Sequence, residues 1–98
     1  MTNKGDHGAC PAAHMLTFLG KRHMLFIIFN MTSGPVGFNE LQDILDINTA
    51  TLSNRLNELV AENMIEKRTC ESDTRRHYYS LTNRGEKVSK LIASFSKI

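Results

Sequence analysis

Residues 39 to 62 read NELQDILDINTATLSNRLNELVAE, and the spacing of their apolar side chains decides the architecture. Leu41, Ile44 and Leu45 recur at helical intervals within residues 39 to 45. Asp46, Ile47 and Asn48 make a tight turn. Asn48 is placed to cap a second helix by accepting from the free amides of its first turn. That helix runs from residue 49 to about residue 62, with Leu52, Leu56, Leu59 and Val60 as its apolar stripe. Asn63 suits the left-handed conformation that ends a helix, a position glycine fills more often. Two helices joined by so short a turn pack at a steep angle.

Downstream, residues 65 to 69 read as a strand and residues 76 to 81, rich in Tyr and His, as another. Cys70, Glu71, Ser72, Asp73 and Thr74 have turn composition, so the strands form a hairpin with a polar tip. Thr82 caps a last helix through residue 95, where Val88, Leu91, Ile92 and Phe95 fall at i, i+3, i+4 and i+7. Upstream, Thr32, Ser33, Gly34 and Pro35 stop a helix. That helix spans residues 21 to 31, with Met24, Leu25, Ile27, Ile28 and Phe29 as a buried core. Gly20 separates it from a short helix that Pro11 opens. Residues 36 to 38 are long enough only for a bridge to the sheet. The fold class is mainly α with a small β-hairpin, a winged helix-turn-helix in a single domain. Residues 1 to 9 read as a flexible N-terminal segment and residues 10 to 98 as the domain.

The chain has 98 residues, a hydrophobic fraction of 41% and a charged fraction of 22%, which exclude a wholly disordered polymer. The longest apolar run, Met24–Phe29, is far below the roughly 18 residues a membrane span needs. Residues 1 to 14 lack the apolar core of a secretory signal, so a cytoplasmic protein with no membrane partner is expected. Two cysteines do not make a disulfide framework. The net charge is only +2, but it is uneven. Lys67, Arg68, Arg75, Arg76 and Arg84 stand against Glu71 and Asp73, which makes the C-terminal third the basic face.

At about 100° per residue, the face of the second helix opposite its apolar stripe holds Ala50, Thr51, Asn54, Asn57 and Glu58, with Arg55 on the flank. Short polar groups suit base edges or phosphates, and Asn pairs well with adenine. Thr49 and Ser53 complete the candidate set on this helix. Arg75 and Arg76 at the hairpin tip suit a minor groove or phosphates. Double-stranded DNA is therefore the expected partner. No nucleophile triad, paired acids or glycine-rich phosphate loop points to an enzyme.

The motifs resemble those of the HxlR-type winged-helix transcription regulators, relatives of the MarR group. Cys10-Pro11 matches that family's N-terminal pair. Leu19-Gly20-Lys21-Arg22-His23 stands where the family has Leu-Gly-Gly-Lys-Trp, so His23 replaces a tryptophan and reads as a core residue. Gly34-Pro35-Val36-Gly37-Phe38-Asn39-Glu40-Leu41 matches Gly-Pro-x-x-Phe-Asn-Glu-Leu, without the basic residues usual at positions 36 and 37. Thr51-Leu52-Ser53-Asn54-Arg55-Leu56 matches the recognition helix, with fewer arginines. Arg76-His77-Tyr78-Tyr79-Ser80-Leu81-Thr82, followed by Gly85, matches the wing and the start of the last helix. The resemblance implies a homodimer, joined through the first and last helices, on a two-fold operator.

Cys10 precedes a helix N-terminus, which favours a reactive thiolate. The resemblance implies disulfide-stress or carbonyl sensing there in some members. His7, Cys10 and His14 have metal-ligand types but are too few for a closed site. No cofactor is expected. A protein-interaction module and a metal-responsive regulator are the alternative readings.

Overall fold

The computed structural model describes residues 11–69, 71–72 and 76–98. Its elements are α1 (Pro11–Leu19), α2 (Met24–Phe29), β1 (Val36–Gly37), α3 (Phe38–Leu45), α4 (Thr49–Ala61), β2 (Ile65–Thr69), β3 (His77–Leu81) and α5 (Asn83–Ala93). A short 3-10 turn, Ser94–Lys97, follows α5. The sheet order is β1-β3-β2, antiparallel throughout. This is the helix-turn-helix with a wing that the periodicity predicts.

The start and stop residues act as read. The Asn48 side chain accepts from the Thr51 amide at 2.8 Å. The Thr82 hydroxyl accepts from the Gly85 amide at 3.1 Å. Asn63 has φ 60° and closes α4 in the left-handed region. Gly34, at φ 140°, takes a backbone angle in the stop after α2 that other residues rarely adopt.

Four expectations are corrected. The helix predicted over residues 21 to 31 is confined to Met24–Phe29. Lys21, Arg22 and His23 form a turn, closed by Met24 N–H to the Lys21 carbonyl at 3.1 Å. His23 sits there at φ 71° and only half-buried, so it is a turn residue and not core. So short a helix buries one stripe. Met24, Ile27 and Ile28 are fully buried, while Phe29 is 54% exposed and Phe26 65%. Val60 also leaves the core, because it lies at the edge of the α4 stripe where the helix turns toward solvent.

The core gathers Met24, Ile27 and Ile28 of α2, Leu41 of α3, Leu52, Leu56 and Leu59 of α4, and Met64 and Ile65 at the wing base. Tyr79 and Val88 close it from β3 and α5. Burial pushes the Tyr79 hydroxyl pKa up, so the ring stays neutral. Ser89, a buried polar residue beside this core, exchanges a hydrogen bond of 2.9 Å with Thr32. Helices α2, α3 and α4 thus share one core, and β1 ties α3 to the wing through Val36↔Tyr79 and Gly37↔Tyr78.

Candidate nucleic-acid interface

The apolar stripe of α4 fixes what its other side can present. Leu52, Leu56 and Leu59 are at most 1% exposed. Ala50, Asn54 and Asn57 stand on the opposite side and are exposed, as is Thr49, while Thr51 and Ser53 are half-buried flanking positions. The N-terminal end of α4 is held twice. Asn48 caps it, and Gln42 Nε2 of α3 donates to the Thr49 hydroxyl at 2.8 Å. Periodicity does not reveal the second tie, because Gln42 carries no assigned role there and Thr49 reads only as a candidate DNA contact.

Arg55 does not stand free. Its Nε donates to the Arg22 carbonyl at 2.9 Å and its Nη1 to Glu58 Oε1 at 2.9 Å. Glu58 also pairs with Lys21. The hydrogen bond from Lys21 is the largest influence on the Glu58 carboxyl and holds it below its ordinary value. The Arg55 bond adds to this, and partial desolvation opposes it. Reading the helix alone could not find this cluster, because Lys21 and Arg22 are more than thirty residues away in sequence.

The wing extends from the same core. Its register runs from Ile65↔Leu81 to Thr69↔His77. Lys67 and Arg68 are exposed on β2, with Arg68 paired to Glu66 at 3.2 Å. Arg76 is exposed at the start of the returning arm and lines a cleft of about 530 Å³ with Asn39, Glu40 and His77 beside the N-terminus of α3. Arg75 lies outside the described residues, as do His7, Cys10 and Cys70. His14 contacts Glu62 at 3.3 Å, and Arg84 reaches the other oxygen of Glu62 at 3.4 Å. Among the described residues no group of three or more His, Cys, Asp or Glu could hold a metal ion. None of the described helices is long and apolar enough to cross a membrane.

A second surface lies away from α4. Leu16 of α1 is 74% exposed, and Leu91 and Phe95 on the α5 side are 65% and 58% exposed. With Leu19, Leu25 and Ile92 they line one apolar groove.

Comparison with known proteins matches this arrangement. The family model described as HxlR-like helix-turn-helix matches residues 18–98. An uncharacterised HTH-type transcriptional regulator of Methanocaldococcus jannaschii is 32% identical over 80 residues, covering 80% of this chain and 75% of that protein. A Porphyromonas gingivalis W83 protein described as a transcriptional regulator of the MarR family superposes with TM-score 0.82 at 26% identity, covering 99% of this chain and 92% of that one. The reduced form of the transcriptional regulator YodB from Bacillus subtilis superposes with TM-score 0.78 at 26% identity, covering 90% and 88%. The agreement in fold and in sequence spans the helix pair, the wing and the last helix alike, and the chain belongs to the HxlR-like helix-turn-helix family, whose members are transcription regulators and not enzymes.

Proposed function

We propose that this regulator works as a homodimer that binds a two-fold site on double-stranded DNA. In this reading α4 enters the major groove. Asn54 and Asn57 face base edges, with Ala50, Thr49, Thr51 and Ser53 alongside them. Arg75 and Arg76 of the wing hold the flanking backbone or minor groove. The observation that carries the reading is the α4 face itself. It is exposed, short-chained and polar, and it is braced at its N-terminal end by both a cap and the Gln42 tie. A rigid helix with short amide side chains can approach base edges closely. The exposed groove of Leu16 on α1, Leu91 on α5 and Phe95 in the turn after it supports pairing of two such subunits, since a contiguous apolar patch on a single domain marks an interaction surface.

Cys10 is the proposed redox switch. It immediately precedes α1, whose N-terminal end favours the thiolate over the thiol. The solved relative YodB is described in a reduced form, which supports a redox role of this kind.

The test is a gel-shift titration with DNA from upstream of the protein's own gene, backed by selection from random duplexes. It is run reduced and after diamide, with Cys10→Ser alongside. Salt-sensitive binding that oxidation abolishes in the wild type and spares in Cys10→Ser is the expected result. The double change Arg75→Ala, Arg76→Ala weakens binding to every duplex and flattens the salt slope by about one for each phosphate no longer neutralised. Binding unaffected by diamide removes the switch. Failure to select any duplex removes the DNA reading in favour of a protein-interaction module.

A further inference from the structure

The residue types of α4 place Arg55 among its DNA contacts, yet the folded chain turns it inward. Its two bonds, from Nε to the Arg22 carbonyl and from Nη1 to Glu58, go to different elements. The second carboxylate oxygen of Glu58 takes Lys21, whose ammonium lies 5.8 Å from the centre of the Phe18 ring. The Arg55 side chain is 23% exposed, so its charge is both shielded and compensated. The turn it grips is itself under constraint. His23, next to Arg22, holds φ 71° without being glycine. Such a conformation persists only where surrounding contacts impose it.

We infer that Arg55 is a positioning residue and not a DNA contact. Together with Glu58 and Lys21 it clamps the α1–α2 turn to the flank of α4. The clamp sets the angle at which Asn54 and Asn57 are presented. It also joins α1, which carries part of the apolar groove, to the helix that reads DNA, so a shift at the subunit boundary is passed to α4 through one cluster. This inference rests on the DNA-binding reading of α4.

An arginine is suited to this role because its rigid planar fork holds two separated acceptors from different nitrogens in a fixed geometry, whereas lysine offers one compact ammonium on a flexible stem. A phosphate contact makes no such demand. Arg55→Lys, Arg55→Gln, Glu58→Gln and the double variant Arg55→Gln, Glu58→Gln are therefore titrated against a selected operator over a range of salt. Each single change is expected to weaken binding by about threefold to tenfold. The double change is expected to cost no more than the worse single one, because the members act as a unit. The salt slope of Arg55→Gln is expected to equal that of the wild type. A slope flatter by about one, with binding retained in Arg55→Lys, makes Arg55 a phosphate contact and overturns the inference. Additive losses overturn it as well. A readout without DNA separates the clamp from the function. Amide exchange at residues 22 to 24 is expected to quicken in Arg55→Gln and in Glu58→Gln, and unchanged exchange overturns the clamp even where the operator binds. A wild-type chain that binds no selected duplex overturns the DNA reading, and with it the role given to Arg55, whatever the exchange shows.

Discussion

Asn54 and Arg55 are neighbours on one helix and have opposite fates. Asn54 points to solvent from the face opposite Leu52, Leu56 and Leu59, while Arg55 is drawn to the flank by Glu58 and the Arg22 carbonyl. Asn54→Ala is expected to change the preference between operators differing at one base pair by about 1–3 kcal/mol while leaving the fold intact. Competition binding across single-position operator variants reads this directly, and a uniform loss across all of them assigns Asn54 to the backbone instead. Glu58 offers a test through pH. Its carboxyl is held below its ordinary value of 4.5, chiefly by Lys21. A group with a depressed folded pKa adds stability that is fully present above the unfolded value and is lost as pH falls through the folded one. Glu58→Gln is therefore less stable than the wild type at neutral pH, and the gap narrows once the pH falls below the ordinary value of 4.5 and closes as it passes through the depressed folded one. Thermal melts of both proteins across that range check it. A gap that stays constant with pH shows that the carboxylate charge is not what stabilises.

At the scale of elements, α4, β2 and α5 meet at a closely packed junction. The Thr82 amide donates to the Met64 carbonyl at 3.0 Å, and the Thr82 hydroxyl donates to the Asn63 carbonyl at 2.6 Å. Helix α5 then passes so close that a Cβ on Gly85 would lie 2.1 Å from the Met64 carbonyl oxygen. No rotamer relieves a clash with backbone. Gly85→Ala forces α5 away from the wing base and is expected to cost about 2–4 kcal/mol, read by urea or thermal unfolding. A change within a few tenths of a kilocalorie shows that α5 can slide instead. Asn63 with φ 60° and the Thr82 cap belong to the same junction, and together they set the wing against the helix pair.

At the scale of the whole molecule, the face proposed to read DNA and the apolar groove occupy different elements, α4 for one and α1 with α5 and the turn after it for the other. Leu16, Leu91 and Phe95 are large, apolar and more than half exposed, whereas a lone soluble domain keeps such residues scattered. Leu91→Glu is expected to leave the single domain folded and to shift the protein from dimer to monomer in sedimentation equilibrium. Operator affinity falls with it, because two half-sites are no longer read together. A variant that remains a dimer moves the interface elsewhere, toward the exposed Phe26 and Phe29 of α2.

Much of this protein is decided by local chemistry. Apolar spacing determined α3 and α4, and the Asn48, Asn63 and Thr82 signals marked where helices begin and end, because capping satisfies backbone groups within a few residues. The same spacing distinguished the buried side of α4 from the side holding Asn54 and Asn57. What only the tertiary structure decided involves partners distant along the chain. The run Met24–Phe29 is apolar at every position, so periodicity could not tell Ile27 and Ile28, which are buried, from Phe26 and Phe29, which are not. Arg55 reads as a free cation until the turn at Arg22 is folded beside it. Its bonding depends on a carbonyl and a carboxylate brought together by packing, and spacing along one helix carries no information about either.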